Sequence, residues 1–459
     1  MKNTSVFVAI PLMWGLVSLS GCGNPAADTK PQSSTSTSSS TSTALTTTKA
    51  DVGDVAQPAP ETTNIRGWRR DGTGRFLDAT SLPEQPFSAP VPTEWNAETP
   101  PTEWDEKKFK WRTPVDGSNS TPVVISGKVF VTSEKSLLTC LDRTNGQILW
   151  KKTHNAEDVP AEFKDKVKER LDGQSDAGFA TPTPVCGNEG VFVVFGSGVI
   201  CRYDLDGNRK WFRFIEPVGL HYGSSASPLL GDGKLVVSLD GLAALDAQTG
   251  STVWEHKDVE NAYGTPAFMT LGQTRVIVTP TGFVVRLSDG KVLDKDIAPD
   301  LSGDEFSISP IVQDDVVYFI DRTCTAVKLT LQGDTVQHKQ LWPAELEEAA
   351  YGSPVIHDGL IFAVGKSGHY SVLDARDGKK LLDKDMDDLP PDIYPSLSVA
   401  GHYLYISNDK GLTVVLEASK EYKEVHRNQL PEGSGACLNF DGPDLFLRAG
   451  DFLYCIGPK

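Results

Sequence analysis

A short pattern, Ser or Thr followed by Pro and then apolar residues, returns along the chain at near-constant intervals. It reads Thr121-Pro122-Val123-Val124, Thr183-Pro184-Val185, Ser227-Pro228-Leu229-Leu230, Thr265-Pro266-Ala267-Phe268, Ser309-Pro310-Ile311-Val312, Ser353-Pro354-Val355-Ile356 and Tyr394-Pro395-Ser396-Leu397. The prolines stand 62, 44, 38, 44, 44 and 41 residues apart, and 42 residues further on lies Ala436-Cys437-Leu438, an eighth copy without the proline. A period near 42 residues is that of a propeller blade, four short strands to each unit. Proline lacks a backbone donor and suits an edge strand, so these prolines are placed on the innermost strand, facing the channel.

The same events follow each copy. A β-rich run comes first, as in Val129-Phe130-Val131, Val191-Phe192-Val193-Val194 and Leu404-Tyr405-Ile406. A third strand then ends in a turn such as Leu141-Asp142-Arg143-Thr144-Asn145-Gly146 or Leu245-Asp246-Ala247-Gln248-Thr249-Gly250. Aspartate caps such a turn and glycine supplies its positive φ. Four residues after the glycine stands a large residue: Trp150, Trp211, Trp254 or Leu382. On an outermost strand these indoles can lie over the next blade and seal it. The last copy ends at its third strand, Phe452-Leu453-Tyr454-Cys455, while Phe109-Lys110-Trp111-Arg112 precedes the first copy without a blade of its own. The expectation is an all-β, eight-bladed propeller of four-stranded antiparallel blades, closed by that N-terminal strand, with Trp111 as its sealing residue.

The N-terminus reads as an export signal. Lys2 gives a positive start, and Val6 to Leu19 form an apolar run of 14 residues. That is short for a membrane span and right for the core of a secretory signal. The run ends in Leu19-Ser20-Gly21-Cys22, which resembles the lipobox of bacterial lipoproteins. The resemblance implies lipidation at Cys22 and removal of residues 1–21; an ordinary signal peptide with an incidental cysteine is the plainer alternative. Gly23 follows, not the aspartate that retains some lipoproteins at the inner membrane, which leans toward the outer membrane. Residues 22–64 hold the Ser/Thr tract Ser33 to Thr48, too polar to offset its ordering entropy, and read as a disordered tether. Such a tether reaches roughly 35 Å on average. Residues 65–105 read as a lead-in packing on the ring, and 106–459 as the propeller.

A net charge of −17 removes nucleic acid from the partners, because phosphate binding needs a concentrated basic face. It also gives no attraction to anionic lipid, so contact with the membrane falls to the lipid anchor.

The stretch Ala244-Leu245-Asp246-Ala247-Gln248-Thr249-Gly250-Ser251-Thr252-Val253-Trp254 resembles the repeats of the pyrroloquinoline quinone (PQQ)-like propeller family. The resemblance covers about residues 106–459, with Leu293-Asp294 and Val425 in place of the tryptophan in weak copies. Arg66-Gly67-Trp68-Arg69-Arg70-Asp71-Gly72-Thr73-Gly74 resembles the lead-in before such propellers. The family holds quinoprotein dehydrogenases, which bind PQQ with calcium in the channel. It also holds non-catalytic, BamB-like lipoproteins of outer-membrane protein assembly. Length, anchor and blade count resemble the second kind, which implies a scaffold for envelope proteins and no cofactor; a PQQ-dependent oxidoreductase is the alternative.

The residues themselves supply little catalytic chemistry. There is no Cys-Cys pair of the kind that stacks PQQ in methanol-oxidising enzymes. The six cysteines after Cys22 are scattered through the repeats, where they suit small apolar positions. The histidines show no metal-ligand spacing, and no nucleophile elbow or phosphate loop is present. The acidic run Asp383 to Asp388 lacks the spaced ligands of a calcium loop. Tyr222, Tyr263, Tyr351 and Tyr394 stand just ahead of the repeated pattern. They are expected either to gather at one channel mouth as a peptide or small-ligand site, or to serve only in blade packing. A second alternative function is binding of a small ligand or polysaccharide in the channel. In the long first interval, Phe163, Val167 and Leu171 share one helical face, either a partner contact or a cap on the ring.

Overall fold

The computed structural model describes residues 65–76, 91–95, 109–173, 175–298, 307–386, 389 and 393–458, which form eight antiparallel sheets arranged as an eight-bladed propeller. The expected signal segment, Cys22 and the tether lie outside the described residues. Among the described residues no helix is long and apolar enough to cross a membrane.

Blade 3 shows how the sequence builds each unit. Leu229–Gly231 lies innermost, and Lys234–Ser238, Leu242–Asp246 and Thr252–His256 follow outward. The two middle strands are buried on both faces because neighbouring blades cover both, so they read as apolar clusters and not as alternation. Alternation returns on the outermost strand, where Val253 is exposed and Trp254 is buried. At the turn before that strand, the Asp246 carboxylate accepts the N–H groups of Gln248 and Thr249, and Gly250 sits at φ +71°. Asp142, Asp204 and Asp374 cap the corresponding turns in blades 1, 2 and 6.

Ring closure follows the N-terminal strand. Phe109–Pro114 runs antiparallel to Phe452–Ile456, with Trp111 opposite Cys455, and becomes the outermost strand of blade 8. Each repeated proline lies just ahead of an innermost strand, as Pro122 precedes Val123–Ile125. In blade 7 the spacing shifts by two residues. The inner strand is Ser398–Ala400, and Ser396, one after the proline, holds the place that Ser353 holds in blade 6.

The tryptophans act between blades. Trp111, Trp150, Trp211 and Trp254 each donate their indole N–H to a carbonyl in the third-strand turn of the following blade: those of Arg143, Leu205, Ala247 and Leu287, at 2.9–3.2 Å. Each indole also lies against the turn glycine. A β-carbon on Gly290 would stand 2.6 Å from Trp254, so this glycine is required for close approach as well as for its φ of +75°. Trp342 of blade 5 does the same with Ala375 and Gly378. It escapes the four-residue rule because the outer hairpin of that blade is long, Thr323–Gln332 with Thr335–Glu345. Spacing to the next glycine would have found it, since Trp342 precedes Gly378 by 36 residues as Trp254 precedes Gly290 by 36. In blade 7 the indole position opposite Val415 is held by His426, and Val425 is its neighbour.

The insertion in the first interval forms a 3-10 turn, Ala161–Phe163, and a helix, Lys164–Asp172. Val167 and Leu171 are buried, and Phe163 packs on Phe212 and Phe214 of blade 2. Its apolar face is spent on the ring, which favours the cap over the partner contact. The six cysteines of the propeller are buried free thiols. Burial pushes the Cys140, Cys201, Cys324 and Cys455 thiols up to about 12, far from the thiolate that nucleophilic or metal chemistry needs.

Candidate binding site at the channel mouth

The repeated Ser or Thr forms a belt of hydrogen bonds around the inner end of the blades. The N–H of Thr121 donates to Thr183 Oγ1, Thr183 to Ser227 Oγ, Ser227 to Thr265 Oγ1, and Thr265 to Ser309 Oγ. Ser309 then donates to Ser353 Oγ, Ser353 to Ser396 Oγ, and Cys437 back to Thr121 Oγ1. The distances run from 2.8 to 3.1 Å. Only the step from Ser396 to blade 8 lacks a hydroxyl, because Cys437 stands there. The proline that follows six of the hydroxyl residues holds the backbone extended at this position. Sequence reading found the pattern and missed this purpose, since no single copy shows what its hydroxyl meets in the next.

Two residues ahead of the belt, seven of the blades contribute one side chain to the rim of a cavity of about 630 Å³, and blade 8 contributes Gly435. Tyr263, Tyr351 and Tyr394 occupy this position in blades 4, 6 and 7; Asn119, Thr181, Ser225 and Ser307 occupy it in blades 1, 2, 3 and 5. Tyr222 also lines the cavity but is not their equivalent. It lies five residues ahead of Ser227 and reaches the mouth on its own loop, where its backbone N–H donates to Tyr263 Oη at 3.1 Å. The structure therefore brings all four tyrosines to one mouth, as two pairs. Tyr351 and Tyr394 stack with ring centroids 5.0 Å apart at 17°, and Tyr222 and Tyr263 are tilted at 5.8 Å. Tyr222, Tyr351 and Tyr394 are 44%, 40% and 47% exposed, more than blade packing alone would leave them.

Trp68, which comes from the lead-in, also lines the cavity. Residues 65–76 run through the channel: Arg66 pairs with Cys186 of blade 2, and Arg75–Phe76 pairs in parallel with Val399 and Ala400 of blade 7. Between them Arg69 is buried and donates to the carbonyls of Pro354 and Leu397, each at 2.8 Å. Burial lowers Arg69 to about 10, so it keeps its charge at neutral pH. The lead-in is a plug, and the mouth is a blind cup. Residues 91–95 pack separately, with Trp95 against Tyr405 of blade 7.

Among the described residues the lining carries two carboxylates, Asp176 and Asp409, and no lysine or arginine. PQQ is a tricarboxylate, and this cup offers it no countercharge while the plug fills the channel beneath. Among the described residues no three His, Cys, Asp or Glu side chains gather as a metal site. The residues present do not fit quinone with calcium. Asp383, from the acidic run, is engaged locally. Burial would raise its pKa, but Lys380, Ser371 and His369 hold it down to about 2; Asp387 and Asp388 lie outside the described residues.

A family model described as outer membrane protein assembly factor BamB matches residues 103–268 and 242–451. No curated protein is similar enough in sequence to match. Among solved structures, BamB from Moraxella catarrhalis superposes with a TM-score of 0.56 at 15% identity, over 76% of this chain and 97% of that one. A europium-containing methanol dehydrogenase gives 0.53 at 13% identity, over 76% and 93%. The quinohemoprotein alcohol dehydrogenase of Comamonas testosteroni gives 0.53 at 12%, over 76% of each. At these identities the structures share the fold, and the fold alone does not choose between assembly factor and dehydrogenase.

Proposed function

Because the chain belongs to the family whose model is that of outer membrane protein assembly factor BamB, we propose that it is a non-enzymatic, protein-binding platform of the bacterial envelope, serving outer-membrane protein assembly. The observation that carries this reading over the quinoprotein alternative is the cup: acidic and neutral where a tricarboxylate would need cations, and closed below by the lead-in. The lipobox-like Leu19-Ser20-Gly21-Cys22 supports anchoring through Cys22, with the tether holding the ring off the membrane.

Deletion of the protein is expected to lower the level of β-barrel proteins in the outer membrane while their transcripts are unchanged. Unaltered barrel levels would defeat the assembly reading. Calorimetric titration with PQQ, with and without calcium, is expected to give no heat of binding, and stoichiometric binding would return the enzyme reading. Cys22→Ser is expected to move the protein from the membrane to the soluble fraction; retention on the membrane would remove the anchor.

A further inference from the structure

We propose that the blind cup binds a neutral saccharide, taken as the end of a glycan chain. The inference stands apart from the platform reading and rests on what the lining can and cannot satisfy.

A hydroxyl has one proton to donate as well as lone pairs to accept. In the belt, the hydroxyls of Thr183, Ser227, Thr265, Ser309, Ser353 and Ser396 each accept a backbone N–H from the preceding blade. None of these six donates to an acceptor among the described residues, and all of them line the cavity. The site is thus ringed by O–H donors. Broad aromatic faces share the lining: the Tyr351–Tyr394 and Tyr222–Tyr263 pairs and Trp68.

Each class of guest can be weighed against that lining. An apolar guest would strip water from the belt hydroxyls and return no partner, which costs free energy at every one. An anion finds no lysine or arginine among the described residues of the wall. Among the described residues a cation finds two carboxylates: Asp409 pairs one oxygen with Lys410 at 2.9 Å and leaves Oδ1 without a hydrogen-bond partner, and Asp176 is exposed, where water screens it. A sugar supplies what remains. Its hydroxyls accept from the belt and donate to Asn119 and the rim hydroxyls, and its C–H face lies on an aromatic ring. The volume of about 630 Å³ falls in the range of small-ligand sites. Because Trp68 and Arg69 close the channel, a polymer cannot thread the ring and enters only by its end.

The test is calorimetric titration of the intact protein with maltotetraose, cellotetraose and N,N′,N″,N‴-tetraacetylchitotetraose, alongside acetyl-arginine amide and inorganic phosphate. At least one neutral tetrasaccharide is expected to bind, with arginine amide and phosphate showing no comparable affinity. The double variant Tyr351→Ala/Tyr394→Ala is expected to weaken that binding at least tenfold, whereas Tyr351→Phe/Tyr394→Phe, which keeps both faces, retains most of it. Thermal unfolding of each variant separates lost binding from lost fold. The proposal is overturned if no tetrasaccharide binds at millimolar concentration, if arginine amide or phosphate binds more tightly than any sugar, or if the alanine pair binds like the native protein. None of these outcomes bears on barrel-protein levels, so the platform reading stands or falls separately.

Discussion

The inner and outer ends of the blades join the same eight units by opposite means. At the inner end the junction is polar and nearly uniform: a hydroxyl from one blade takes a backbone N–H from the one before, at seven junctions of the ring. At the outer end it is apolar and irregular. Five junctions carry an indole on a glycine. From blade 4 to blade 5 a polar pair, Asp294 and His338 at 2.7 Å, takes its place. From blade 6 to blade 7, Tyr422 meets Tyr370 with centroids 6.0 Å apart. The difference has a geometric source. Blades converge inward, so backbones there come within reach of one short side chain; they diverge outward, and the widening gap needs large side chains of several shapes. The polar inner end also leaves hydroxyl protons unspent.

That contrast can be broken from its outer side first. Trp254→Ala removes a buried indole and its hydrogen bond, and is expected to cost about 4 kcal/mol in urea unfolding; a loss below 1 kcal/mol would mean the indole does not seal the blade. The outer contact between blades 1 and 2 adds a pH dependence. His154 accepts the Tyr203 hydroxyl at Nε2 and its Nδ1 bonds the Ser136 carbonyl, and burial lowers it to about 4 from 6.5. The folded protein binds this proton more weakly than the unfolded chain. Stability is therefore full above pH 6.5 and falls as pH drops from 6.5 toward 4, by about 3 kcal/mol. Unfolding free energy measured against pH should lose that acid limb in His154→Gln.

The inner belt is expected to respond less. Ser309→Ala strands the Thr265 N–H and should cost about 2 kcal/mol. Cys437→Ser sharpens the comparison by supplying the missing hydroxyl for Ser396; it should raise stability by about 0.5 kcal/mol. A neutral or negative effect there would mean that the belt is a consequence of ring geometry and not a contributor to it.

Much of this was legible along the chain. The period, the middle-strand clusters, the Asp-capped turns and the closing strand at Phe109 all follow from patterns within one unit of about 42 residues or between its copies. The four tyrosines were legible as a group, but not as two pairs. Tyr222 has no place in the repeat, and its arrival at the mouth depends on a loop that only the folded ring positions. Trp342 was obscured by a long hairpin that changed its local spacing.

Trp68 and Arg69 were beyond any local reading. Arg69 bonds carbonyls 285 and 328 residues away in the chain, and no pattern near it states that it will enter the channel. The sequence by itself determined the blade, its number and its closure, because those depend on hydrogen bonds and apolar faces repeated at short range. The tertiary structure decided that the channel is plugged and that its mouth is a cup, because both depend on side chains from distant blades meeting around one axis.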